Sequence, residues 1–304
     1  MARGWSEVPV LRYLILAIAA LMLAPLPSSA ADLLIVQSSH SQVMDQMVRI
    51  VQNGCDTSHR TLVMSDYAVL DLARMVREEK PSVVVAIGDQ AVVATKKISK
   101  VPVVYGMALN TDEDTLSGNF SGVSMIASPR SYLQLFAAMK LRRVGVIHER
   151  KNTGAYIRRA KTMATGMGIE LVPLKVRSSK EVQQRLIELK KQRVEALWLL
   201  PDSTTIVPET VDSYFVFAQQ NNLPVIGFSA AYLAKGALAA VELSRNEIGR
   251  QLCDKVKTSR MSGNSNGTTY STVARLFFNS AVAEKLDIRI PPASALPPTL
   301  SMSD

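Results

Sequence analysis

The chain has 304 residues, with 35 Lys and Arg against 26 Asp and Glu, 47% hydrophobic residues and two cysteines. Such a composition belongs to a folded protein, and the length suffices for one large domain or two lobes. Two cysteines exclude a disulfide-dense scaffold and any multi-cysteine zinc or iron–sulfur framework, and His40, His59 and His148 stand far apart, so no metal is expected. The net charge of +9 is spread along the sequence without a long basic block, so no nucleic-acid partner is expected and the charge reads as a solubility property.

Residues 13–26 form an apolar stretch behind Arg3 and Arg12, followed by the small residues Ser28, Ser29 and Ala30. This pattern predicts a signal peptide over 1–30, cleaved after Ala30 or Ala31. The stretch is shorter than the roughly 20 apolar residues that span a bilayer, and Pro25 and Pro27 end it. The mature protein is therefore expected to be exported to the periplasm, soluble and without a lipid anchor.

Beyond the leader, short β-branched runs alternate with amphipathic helical stretches. Strands are predicted at 33–36, 61–64, 83–87, 101–105 and 122–125, with helices over 42–53, through Leu70, Ala73 and Val76, through Val92 and Ile98, and over 129–140. Pro102 places its strand at an edge or begins it. The alternation then restarts, with strands at 143–147, 170–174, 196–200 and 224–228 and helices over 153–167, 179–192 and 208–221. A strand at 237–243, a helix over 245–258, a polar loop at 262–267, a strand near 269–274, a helix over 278–286 and an irregular Pro-rich tail complete the chain. Two such runs of βα units read as two doubly wound, Rossmann-like lobes with parallel sheets, breaking near Leu141 and Arg142.

In open parallel sheets, ligands sit beyond the carboxyl ends of the strands. The segments there carry Ser38, Ser39, Asp89 and Met107 in the first half and Asn152, Asp202, Ser203, Ser229 and Tyr232 in the second. Hydroxyls, amides and carboxylates of this kind hydrogen-bond a small polar ligand, and Asp202, directly behind an apolar strand, suits a ligand ammonium. The same residue types also cap helices, and Tyr232 either stacks on a ligand ring or packs on its own lobe. No GxGxxG, GxxxxGK[ST] or GxSxG motif is present, so neither a cofactor nor catalysis is expected. Two arrangements stand open for the cysteines: a disulfide between Cys55 and Cys253, favoured by an oxidising compartment, or two separately buried thiols.

The order of Val85-Ala-Ile-Gly88, Asn119-Phe-Ser-Gly-Val-Ser124, Arg143-Val-Gly-Val-Ile147, Leu200-Pro-Asp-Ser-Thr204, Pro224-Val-Ile-Gly-Phe-Ser229 and Ile248-Gly-Arg-Gln251 resembles the ABC-transporter substrate-binding proteins, the family that includes tryptophan and tyrosine binders. Gly236-Ala-Leu-Ala239 and the closing 278–286 segment extend the likeness across about 32–292. The resemblance implies a type I periplasmic binding protein fold with three chain crossings, near 141–143, 230–238 and 260–268. Lobe 1 is then 32–141 plus 238–259, and lobe 2 is 142–237 plus 268–304, which puts both cysteines in lobe 1. It also implies a monomer that closes on a small solute, an amino acid among the candidates, and delivers it to a membrane permease. A periplasmic sensor signalling to a membrane receptor is the alternative, ahead of an exported enzyme. Gly88-Asp89 and Ser229-Ala230-Ala231 depart from the family's usual Gly-Thr and acidic pair, at positions where a ligand would sit.

Overall fold

The computed structural model describes residues 31–109, 116, 118–262, 267–271 and 273–303. The leader over 1–30, Asn110 and most of the polar loop at 262–267 lie outside them.

The first sheet is built from β1 (Leu33–Gln37), β2 (His59–Val63), β3 (Val83–Ile87), β4 (Val103–Gly106) and β5 (Phe120–Val123), interleaved with α1 (Gln42–Gly54), α2 (Leu72–Glu79) and α3 (Asp89–Thr95). Strands β1 and β3 are buried on both faces, as central parallel strands must be. Alternate residues serve opposite cores. Leu33, Ile35, Val83 and Val85 pack under α1, whereas Leu34, Val36, Val84 and Ala86 pack under α2 and α3. Pro102 directly precedes β4, so it begins a strand that lies inside the sheet.

Then follow α4 (Pro129–Ala138), β6 (Arg143–Glu149), α5 (Arg150–Thr165), β7 (Glu170–Val176), α6 (Val182–Lys191), β8 (Ala196–Trp198), α7 (Pro208–Gln220), β9 (Val225–Gly227) and β10 (Ala239–Leu243). Helix α8 (Arg245–Ser262), β11 (Gly267–Thr269), β12 (Ala274–Phe278), α9 (Ser280–Lys285) and β13 (Leu300–Met302) complete the order. The first sheet runs β11-β5-β4-β3-β1-β2 and the second β13-β12-β10-β9-β8-β6-β7. All described pairings are parallel except β10 with β12.

The topology moves all three crossings. Helix α4 buries Tyr132, Leu133 and Phe136 against Trp198, Val144 and Ala160 of the second lobe, so the chain first crosses at 124–128 rather than near 141–143. Strand β10 pairs with β9 and β12, so the second crossing follows Leu243 rather than lying at 230–238. The single strand expected near 269–274 is two: β11 joins the first sheet and β12 the second, which places the third crossing at 270–273. The Pro-rich tail holds a 3₁₀ turn, Ala293–Ala295, and then adds β13 beside β12 where no strand was expected.

Helix α8 thus returns to the first lobe and lies on α1. Cys55, the residue capping the end of α1, is bonded to Cys253 of α8, with Cα atoms 5.0 Å apart. Gly249 makes that approach feasible, since a Cβ there would overlap Ile50 Cγ2. Gly249→Ala is expected to destabilise the protein by about 1–3 kcal/mol through overpacking, read as a lower midpoint in denaturant unfolding. An unchanged midpoint would show that the two helices separate without cost.

Candidate functional site

Strands β1, β3, β4 and β5 of one sheet and β6, β8 and β9 of the other carry the polar segments at their carboxyl ends. The crossings tie the two lobes near the same place. Tyr156 of α5 donates its hydroxyl to the Ala127 carbonyl of the first crossing, 2.7 Å away. Tyr270 of the third crossing stands edge-on to Tyr156, and its hydroxyl accepts from Arg159 Nη1 at 3.3 Å. On the lobe 1 side the Tyr105 hydroxyl meets Thr268 Oγ1, and Ser124 N donates to Thr269 O. An interlobe cavity of about 40 Å³ is lined by Tyr105, Leu109, Met125, Asn152, Arg159 and Tyr270 among others. Larger recesses, of about 660 and 420 Å³, lie on the outer faces of the lobes.

On the first lobe, Ser38 is buried and its Oγ accepts the Ala91 N–H at 2.9 Å, capping the first turn of α3. Gly88, at φ +94°, lets the chain pass, because a Cβ would lie 2.6 Å from that oxygen. Ser38 is therefore a tie between β1 and α3. Ser39 is half-buried, with its carbonyl accepting from Gln37 Nε2 at 2.8 Å. Gln37, a buried residue outside the predicted set, also donates to Asp45 Oδ1 at 2.6 Å and holds that carboxyl below the usual carboxylate range. His40 reaches Asp45 and Asp66 at 3.5 and 3.3 Å, so it belongs to a rim network of this lobe. Asp89 opens α3, half-buried, and Met107 sits at φ +56° just past β4, packed against the core under α1.

On the second lobe Asp202 is 1% exposed and accepts five hydrogen bonds. Oδ2 takes the Glu149 N–H and the Thr153 hydroxyl at 2.9 and 2.7 Å. Oδ1 takes Asn152 Nδ2 and the backbone N–H groups of Thr204 and Thr205, at 3.1, 3.0 and 3.2 Å. A carboxylate offers about four lone-pair sites, so nothing remains for a ligand ammonium. The expectation for Asp202 is thus corrected: it positions the ends of β6 and α5 against the 202–205 loop. Asn152 Nδ2 also lies 3.1 Å from both Ser203 Oγ and Thr204 Oγ1, and Ser203 is exposed. Glu149 supplies the cap of α5 by accepting from the Lys151 and Asn152 N–H groups. Glu149 and Thr153 were missed as organisers of this loop, although both stand in segments that follow or open the elements read from sequence.

Ser229 caps the 3₁₀ turn Ala230–Lys235, whose Ala230 N–H donates to Glu242 Oε2 at 2.8 Å. Tyr232 packs on its own lobe, 5.2 Å from the Phe228 ring and 5.9 Å from that of Phe215, in the core under α7. Its stacking role is corrected accordingly, since both neighbours belong to the same lobe.

His148, 2% exposed, has a pKa lowered by burial, against smaller upward pulls from Glu149 and Asp202; Lys175 pulls downward. The unfolded chain protonates near pH 6.5 while the folded ring stays neutral, so protons favour unfolding. Stability is fully present above about pH 6.5 and falls as pH drops below it. A series of melting points against pH should show this decline, with His148→Gln shallower; identical slopes would remove His148 from the cause.

The profile of the family described as "ABC transporter substrate binding protein" matches residues 55–296. A comparison with curated proteins finds no match. Among solved structures, the chain is similar to the ABC domain from Streptococcus pneumonia in complex with L-Trp, at 17% identity over 86% of this chain and 96% of that one, TM-score 0.59. It is also similar to the ligand-free, open substrate binding protein CD0873 from Clostridium difficile, described as having adhesive properties, at 18% identity over 90% and 99%, TM-score 0.61. A conserved domain protein from Vibrio cholerae gives 20% identity over 88% and 97%, TM-score 0.61. Two mostly parallel sheets, three crossings and these neighbours establish the type I periplasmic binding protein fold. With the family profile spanning most of its length, the chain belongs to the ABC transporter substrate-binding proteins.

Proposed function

We propose that the protein is exported, captures a small polar solute between its lobes and delivers it to an ABC permease. The observation that carries this reading is the facing of two polar strand ends across three short crossings, in a chain of the substrate-binding family. Among the described residues, no helix is long and apolar enough to cross a membrane. Ser39, Asp89 and Met107 from one lobe, with Asn152, Ser203 and Ser229 from the other, are the proposed contacts. Ser38 and Asp202 hold those contacts in place, and Tyr232 supports the loop behind them. Asn152 is the strongest of the set, because its amide already gathers Asp202, Ser203 and Thr204 and lines the interlobe cavity. An amino acid is the proposed ligand class, supported by the L-Trp complex of a structural neighbour.

The test is a thermal-shift screen against amino acids, sugars, nucleosides and polyamines. A ligand bound only by the folded state, at about a hundred times its Kd, adds about 2.7 kcal/mol and raises the melting point by several degrees. Asn152→Ala should reduce that shift by weakening binding about tenfold. No shift with any solute, in protein shown to carry no co-purified small molecule, contradicts the reading.

A further inference from the structure

The fold leaves one polar atom over at the end of the first sheet. Gln37 is the last residue of β1, in register with Val63 of β2 and Ile87 of β3. Leu33 and Ile35 precede it on the same face, in the core under α1, so an apolar row ends in an amide at the carboxyl end of the strand. The residue is 2% exposed. Its amide nitrogen donates to the Ser39 carbonyl at 2.8 Å and to Asp45 Oδ1 at 2.6 Å, which takes both of its protons. A carbonyl and a carboxylate can only accept, so the nitrogen must face them and the amide is fixed in orientation.

Gln37 Oε1 accepts no hydrogen bond from the described residues. Fully buried side-chain polar atoms without a partner among those residues are Ser121 Oγ, Tyr132 Oη and Trp198 Nε1, and Gln37 Oε1 is not one of them. It therefore reaches open space at the carboxyl end of β1, where a buried amide oxygen would otherwise find a donor. Tying β1 to α1 uses the nitrogen alone and leaves the oxygen unexplained. Methionines close the same end of that core. Met44 in the first turn of α1, Met107 past β4 and Met125 past β5 are half-buried and pack on it together. Met44 Cε reaches the end of β3, 2.9 Å from where a Cβ on Gly88 would stand, and Met125 lines the interlobe cavity.

The chemistry of this corner selects its ligand group. Asp45 stands directly behind the amide, and its carboxylate polarises Gln37 so that Oε1 is a stronger acceptor, above all for a cation. Across the cleft, Asp202 has no lone pair left to offer. Thioether side chains adapt to apolar groups of varied shape. We propose that Gln37 Oε1 receives the ammonium group of the solute, with Met44, Met107 and Met125 against its apolar body. The proposal rests on the reading of the cleft as an amino-acid site. It makes Gln37 the residue that distinguishes an amino acid from the same molecule without its amine.

The test is titration calorimetry on protein expressed from the full chain, with L-tryptophan, L-tyrosine and L-leucine. Each is paired with its analogue lacking the amine: indolepropionate, hydroxyphenylpropionate and isocaproate. The unmodified protein should bind the amine-bearing member of a pair about ten- to hundredfold more tightly, as a hydrogen bond to a charged group allows. Gln37→Met keeps the length of the side chain and removes the amide, and that preference should disappear. Asp45→Asn still offers Nε2 an acceptor but removes the charge behind it, so the preference should shrink several-fold in a protein that stays folded. Melting curves confirm folding of both variants. Equal weakening of both members of a pair in Gln37→Met overturns the proposal and leaves Gln37 a tie between β1 and α1. So does unmodified protein that binds both members alike. Binding of none of the six compounds overturns the amino-acid reading as well, so the two failures are told apart.

Discussion

Reducing the Cys55–Cys253 bond, or replacing Cys253 by Ser, should lower the stability of lobe 1 by about 3–5 kcal/mol and its melting point by roughly ten degrees. The bond spans 198 residues and closes a loop that includes β6 to β10 of the other lobe, because α8 returns only after β10 has been laid into the second sheet. In the chain-entropy account, a loop of that length costs the unfolded chain about 5 kcal/mol of freedom. The folded lobe gives up little in exchange: Val51 of α1 and Leu252 of α8 already pack in one core, so the bond joins helices that are in contact. Differential scanning calorimetry with and without reductant measures the loss. A reduced protein that melts with the oxidised one would mean that α8 is held by packing alone.

Asp202→Ala carries the second large effect. It leaves the Thr153 hydroxyl, the Asn152 amide and three backbone N–H groups without their common acceptor in a buried site. Each unsatisfied buried donor costs about 1–3 kcal/mol, and water entering the cavity recovers part of the sum. A net loss of about 3–5 kcal/mol from lobe 2 is expected, together with weakened solute binding, because Asn152 and Ser203 lose their fixed positions. Asp202→Asn should also destabilise, since an amide nitrogen would face donors where a carboxylate oxygen now accepts. Chemical denaturation of both variants checks the stability. A loss of binding with wild-type stability would return Asp202 to the ligand and refute the positioning role.

That reversal illustrates what the sequence carries. Asp202 stands out in sequence because it follows an apolar strand, and the structure keeps it central. Its partners come from Glu149, Asn152 and Thr153, about 50 residues earlier, and no local pattern reports that a carboxylate's lone pairs are already taken. The periodicity of the central strands was legible, since runs such as 83–87 are apolar on both faces. The side of each crossing was not. Helix α4 has the same amphipathic face whichever sheet it covers, and only Trp198 and Val144 meeting Tyr132 and Phe136 decide the matter. The stretch near 269–274 carries β-forming residues at both ends, and the break at 270–273 reflects a change of sheet that propensity does not encode. Strand β13 was hidden for a related reason: Leu300–Met302 is short, follows two prolines and takes its sheet pairing from β12, far from it in sequence. Tyr232 shows the limit for aromatic side chains, whose direction depends on Phe215 and Phe228 rather than on their own neighbours in sequence.

Closure of two lobes on a solute is the central claim, and small-angle X-ray scattering tests it most directly. The protein should be measured alone and then with the solute that raises its melting point. A smaller radius of gyration in the saturated sample, with the molecular mass unchanged, is the expected result, since closing about the crossings at 124–128, 244 and 270–273 brings the polar strand ends together. An identical scattering curve at saturation would contradict closure and place the solute on a single lobe.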